Sequence, residues 1–220
     1  MDFMKLLKSL EAFVFEVITW LVFYPLTFWK VLVKPAYMMS YADKELEDDP
    51  DDYYSDMLSP PIFLAITLGI SHLLEISVGE ESDLPEILAE DQNLLGYRIL
   101  IFSIYPLILS LRLLRRKHVK LDRKTLKPPF YSQSFVIAPY ALVVSTAPLL
   151  VAKYMEASVQ ALLVILAILS LATIWYLVLQ ARWFARELGV SAFKGAWHAL
   201  VSFLQALILI IAISSVISGL

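Results

Sequence analysis

Long apolar runs separated by short charged blocks decide most of what this chain can become. Five stretches, residues 61–78, 94–114, 134–152, 159–179 and 197–217, are mostly apolar over about the ~20 residues that a helix needs to cross a bilayer. In lipid a lone strand leaves its backbone N–H and C=O groups without partners, so each run is expected as a helix. The chain is 59% hydrophobic over 220 residues. That is more apolar surface than a soluble domain of this size can cover. Pro106, Pro139 and Pro148 fall inside or near the ends of runs, where proline removes a helix hydrogen bond and favours a kink. The predicted fold is all-α: a polytopic membrane helix bundle of about five transmembrane helices with an N-terminal interfacial amphipathic helix. It divides into residues 1–36 (the interfacial helix), 37–58 (an acidic cytoplasmic segment) and 59–220 (the transmembrane domain).

The charged blocks predict orientation. Between the second and third runs lie Arg112, Arg115, Arg116, Lys117, Lys120, Arg123, Lys124 and Lys127, and between the fourth and fifth lie Arg182, Arg186 and Lys194. Short loops rich in Lys and Arg stay in the cytoplasm. The loop between the first and second runs carries Glu80, Glu81, Asp83, Glu86, Glu90 and Asp91 with no Lys or Arg, and parity puts it outside. On the same parity the N-terminus is cytoplasmic and the C-terminus is outside. A second acidic tract, from Asp43 to Asp56, holds Glu45, Glu47, Asp48, Asp49, Asp51 and Asp52 against a single Lys44. It reads as a solvated cytoplasmic segment able to dock a protein partner. It lacks the glycine and terminal glutamate of a calcium-binding loop.

Residues 3–34 are apolar enough to be taken for another span. At about 100° per residue, Lys5, Lys8, Ser9, Glu11, Glu16, Thr19, Thr27, Lys30 and Lys34 fall within a sector of about 160°. Phe3, Leu6, Leu10, Phe13, Val17, Trp20, Leu21, Tyr24, Phe28 and Val31 occupy the opposite side. A helix lying in the interface needs this stripe, with its lysines reaching headgroups, and Trp20 and Trp29 suit that depth. Pro25 is expected to bend the segment. The alternative is a sixth span whose polar stripe faces the bundle, which moves the N-terminus outside.

Few ionisable groups enter the runs. His72 and Glu75 share a face of the first, Arg98 lies one turn into the second, and Gln205 sits deep in the fifth. These four are the candidates for a polar pathway, or for packing between helices. Snorkelling of Arg98 toward Glu90 or Asp91, or a bridge to Glu75, accounts for it without chemistry. One His and one Glu fall short of the roughly three ligands of a catalytic metal site. Cysteine is absent, which removes thiol catalysis and thiolate metal sites. Phosphate-cradling glycine loops, nucleophile elbows and zinc-protease motifs are absent as well. The sequence therefore suggests no enzyme, no cofactor and no metal. Lys5, Lys8, Lys30, Lys34, Arg115, Arg116, Lys117 and Lys120 are the candidate contacts for anionic lipid, a more natural partner for a bilayer-side loop than nucleic acid.

The lead-in Ser59-Pro60-Pro61-Ile62-Phe63 and the stretch Glu187-Leu188-Gly189-Val190-Ser191 with Gly195, together with five spans and a short outer C-terminus, resemble the YIP family (Ypt-interacting-protein-like membrane proteins, with permease-type bacterial members). The resemblance runs from Ser59 to the C-terminus, while the N-terminal helix departs from that family's soluble region. It implies a membrane-organising or transport-related role in a bacterial inner membrane and supplies no catalytic residues. The expected function is a non-enzymatic membrane scaffold or accessory subunit with membrane lipids as partners. The alternatives are a small permease or channel, acting as a homo-oligomer, and a lipid-handling protein.

Overall fold

A computed structural model describes residues 3–46, 54, 56–78 and 91–218. They form α1 (Phe3–Val33), α2 (Pro35–Glu45), α3 (Pro60–Val78), α4 (Asp91–Arg116), α5 (Arg123–Tyr154), α6 (Val159–Leu188) and α7 (Ala192–Ser218), with no strand among them. The acidic loop at residues 79–90 and most of the second acidic tract, residues 47–53 and 55, lie outside the described residues. Six helices, rather than the expected five, are long and apolar enough to cross a membrane, the additional one being Leu7–Val33 within α1. The charges of α1 are crowded toward its first half, with Lys30 alone in the second.

α5 is the axis of the bundle, with α2, α3, α4 and α6 all packed on it, while α7 closes the other side between α4 and α6. Local signals set the ends of these helices. Asp122 caps α5 by accepting from the backbone N–H of Lys124 and Thr125, both at 2.9 Å, and Thr125 Oγ1 returns a bond to the Asp122 N–H at 3.0 Å, a reciprocal capping box. These backbone donors hold the Asp122 carboxyl below its ordinary range. α4 and α5 run on as helices through Pro106, Pro139 and Pro148.

Gly189 ends α6 in the left-handed conformation, with φ +61°, and the Val190 N–H closes the cap on Ala185 O at 3.1 Å. α7 then folds straight back. A Cβ on Gly195 would meet the Ala185 methyl at 2.9 Å, so glycine there sets how closely α6 and α7 approach.

The second half of α1 lies alongside α3 and antiparallel to it. Thr27, fully buried, accepts from the Leu58 N–H at 3.3 Å. The Tyr24 ring meets Phe63 at 5.4 Å between centroids, and its hydroxyl bonds Thr67 Oγ1 at 3.3 Å. Successive partners thus climb α3 as α1 is read backwards, which is the alignment of the sixth-span alternative over this half. The outward residues Leu21, Val22, Leu26, Trp29 and Val33 are exposed and apolar. In the first half, residues 7–16 are exposed on every side, charged and apolar positions alike.

Candidate functional site

The middle of the bundle is filled by four rings, one from each of α4, α5, α6 and α7. Tyr140 stacks on Tyr176 with centroids 4.9 Å apart. Tyr105 stands edge-on to both, at 6.2 and 6.3 Å, and Phe203 packs against Tyr105 at 5.4 Å. Tyr176 is fully buried. Rings in tilted and edge-to-face contact gain from both packing and quadrupole geometry. One and two turns from this plug, the amides of Gln180 and Gln133 are fully buried, and that of Gln133 finds no hydrogen-bond partner among the described residues.

The end where α3 stops and α4 begins is called here the acidic end, after the charges in the sequence between them. There α3 and α4 bring His72, Glu75 and Arg98 together. Arg98 pairs with Glu75 across the two helices, and His72 Nδ1 lies 3.9 Å from the same carboxylate. All three side chains are largely shielded. A guanidinium and a carboxylate taken out of water together stabilise each other, and either one left alone is costly. The arrangement therefore acts as a clamp between two spans.

The opposite, basic end carries two assemblies. In the first, α2 and the chain beyond it dock on the ends of α5 and α6. Ser132 Oγ lies 2.9 Å from Met39 O and 2.8 Å from Asp43 Oδ1, and Arg186 donates to Ser40 Oγ at 3.2 Å. Lys117 Nζ pairs with Glu187 at 2.8 Å. Asp56 bonds the Tyr41 hydroxyl, and Glu45 accepts from the Tyr54 N–H at 2.7 Å. The described parts of the acidic tract are thus tied to the bundle rather than solvated throughout. Burial lifts the Asp43 carboxyl above its ordinary range. The Ser132 hydrogen bond opposes that shift, Glu187 adds to it, and Arg186 and Lys117 also oppose it.

The second assembly is a cleft of about 640 Å³ between α4 and α7, lined by Arg112, Arg115, Arg116, His118 and Gln205 over walls of Ile108 and Leu111. Arg112 donates to Gln205 Oε1 at 2.8 Å.

The structure thus divides the sequence-derived candidates. His72, Glu75 and Arg98 converge, while Gln205 sits with the arginines toward the other end. Arg115 and Arg116 line the cleft, Lys117 is paired with Glu187, and Lys120 is exposed in the loop. Lys5 and Lys8 stand exposed on the first half of α1. Lys30 turns to Met57 Sδ at 3.8 Å, and Lys34 precedes α2 beside a cavity of about 410 Å³ that it lines with Tyr37, Arg182 and Trp183. The four-ring plug and the depth of Arg112 were not singled out from sequence. The available signal was that each of these four apolar runs carries aromatics, Tyr105, Tyr140, Tyr176 and Phe203 among them.

Fold and charge distribution together define a polytopic, all-helical integral membrane protein. Compared with family models, curated proteins and solved structures, the chain matches none of them.

Proposed function

We propose that this protein is a non-enzymatic membrane scaffold or accessory subunit. The observation that carries this reading is the plug of Tyr105, Tyr140, Tyr176 and Phe203, which fills the space a permease needs for a path. A second feature supports it. Leu162, Leu163, Leu166 and Leu171 of α6 are exposed on several sides of the helix, leaving that half open to helices of another subunit. Helices in lipid associate through close van der Waals packing rather than hydrophobic attraction.

In this proposal the basic end is cytoplasmic, by the loop rule for Lys and Arg, and the C-terminus is outside. With α1 as a sixth span, the N-terminus is outside too. On the YIP resemblance, the proposed location is a bacterial inner membrane. The test is a photoreactive residue at Leu162, Leu166 or Leu171 in native membranes. A protein adduct of discrete mass is expected at one or more of these positions, from a partner or a second copy. Lipid adducts alone at all three would contradict the scaffold reading.

A further inference from the structure

Arginines near the end of a span ordinarily snorkel toward water. Arg112 does the opposite. A helical side chain leans toward its own helix N-terminus, and for α4 that direction is inward, away from the basic end. Gln205, about 20 Å along α7 from Ala192 at 1.5 Å per residue, leans the other way and holds the guanidinium at 2.8 Å. Arg112 Nε is buried and finds no hydrogen-bond partner among the described residues. Arg115 and Arg116 stand exposed at the mouth of the same cleft, and none of its lining residues is acidic. The nearby acid, Glu187, is engaged by Lys117 and by Arg186.

The cap of α4 adds to this concentration of donors. The Val119 N–H bonds Leu114 O at 3.0 Å, and the residue in the left-handed position is His118, with φ 54°, where glycine is the ordinary choice. A side chain is thereby retained at the cleft wall.

We propose that this cleft binds the phosphate of an anionic phospholipid. Guanidinium groups match phosphate oxygens with paired, charge-assisted hydrogen bonds, and Arg112 gives only one of its N–H donors to Gln205, which leaves others for that purpose. The walls choose the source of the phosphate. Ile108 and Leu111 continue the cleft in apolar surface, and the exposed Leu204 and Ile208 flank Gln205 on α7. A lipid sets its headgroup among the arginines and its acyl chains along these residues, whereas a free anion uses only the mouth. The site goes beyond the scaffold reading and stands without it.

The test is native mass spectrometry of the delipidated, full-length protein, titrated with phosphatidylglycerol, phosphatidylcholine or inorganic phosphate. Phosphatidylglycerol is expected to bind about tenfold more tightly than phosphatidylcholine, whose choline cation faces the arginines. Arg112→Gln, and separately the exposed pair Arg115→Gln/Arg116→Gln, should bring phosphatidylglycerol down to the phosphatidylcholine level. Arg123→Gln/Lys124→Gln, which removes as much charge outside the cleft, should leave binding unchanged. The exposed pair at the mouth keeps the test valid if Arg112→Gln fails to fold. Equal binding of the two lipids, wild-type binding by the mouth variant, or displacement of lipid by inorganic phosphate would each overturn the proposal.

Discussion

Ser132 has one hydroxyl proton and two acceptors within reach, Met39 O and Asp43 Oδ1. A protonated Asp43 resolves the competition, because it can donate to Ser132 Oγ while Ser132 donates to Met39 O. Burial raises the Asp43 carboxyl in that direction. A carboxyl whose pKa is raised in the folded state contributes stability in full below its unfolded pKa, about 3.9. That contribution is lost as pH rises through the folded pKa. Asp43→Asn, which cannot ionise, should therefore gain thermal stability relative to wild type as pH rises from about 4 toward 7. Melting curves of both proteins in one detergent check this, and parallel pH profiles would contradict it.

Residue-level legibility followed spacing. His72 and Glu75 are three apart on a helix, and Arg98 starts the next span from the same side, so their meeting could be read from order alone. Arg112 could not be read in this way. In sequence it belongs to a basic block, and only the lean of its side chain toward Gln205 separates it from its neighbours. Gln133 and Gln180 stand at the edges of apolar runs, where an amide looks the same whether it faces headgroups or the core.

At the scale of elements, five runs became five helices because length and composition decide that question in lipid. α1 was harder. Its polar stripe is real, but helical periodicity alone does not say whether the stripe faces water, headgroups or another helix. Thr27 and Lys30 belong to the stripe, and both turn to the chain around Met57 and Leu58. The apolar side, Trp20, Tyr24, Phe28 and Val31, packs on the bundle as well. With α1 antiparallel to α3, Ser9 belongs with the acidic end. A cysteine at Ser9, in a chain that otherwise has none, should react with an impermeant maleimide from the side that labels Lys153→Cys. Reaction only from the side that labels Lys124→Cys would return α1 to the interface.

For the molecule as a whole, the account is of a bundle sealed at its middle and clamped at both ends. Arg98 and Glu75 join α3 to α4 at the acidic end. At the basic end Asp43 with Ser132, and Ser40 with Arg186, hold α2 against α5 and α6, while Lys117 and Glu187 tie the end of α4 to α6. Five of the six long apolar helices were legible from composition, while the apolar part of α1 was expected to lie in the interface. The closure was not legible, because it depends on which residue of each apolar helix meets the axis.

The most direct test of the closure is labelling of single cysteines at Ser110, Ala141 and Ser202, all fully buried, by a water-soluble maleimide added from each side of intact membranes. A sealed bundle gives no labelling at these three positions from either side, while Lys153→Cys and Lys124→Cys each react from one. Reaction at Ala141 or Ser110 in the folded protein would reveal water at the plug and contradict the sealed bundle in favour of a permeation path.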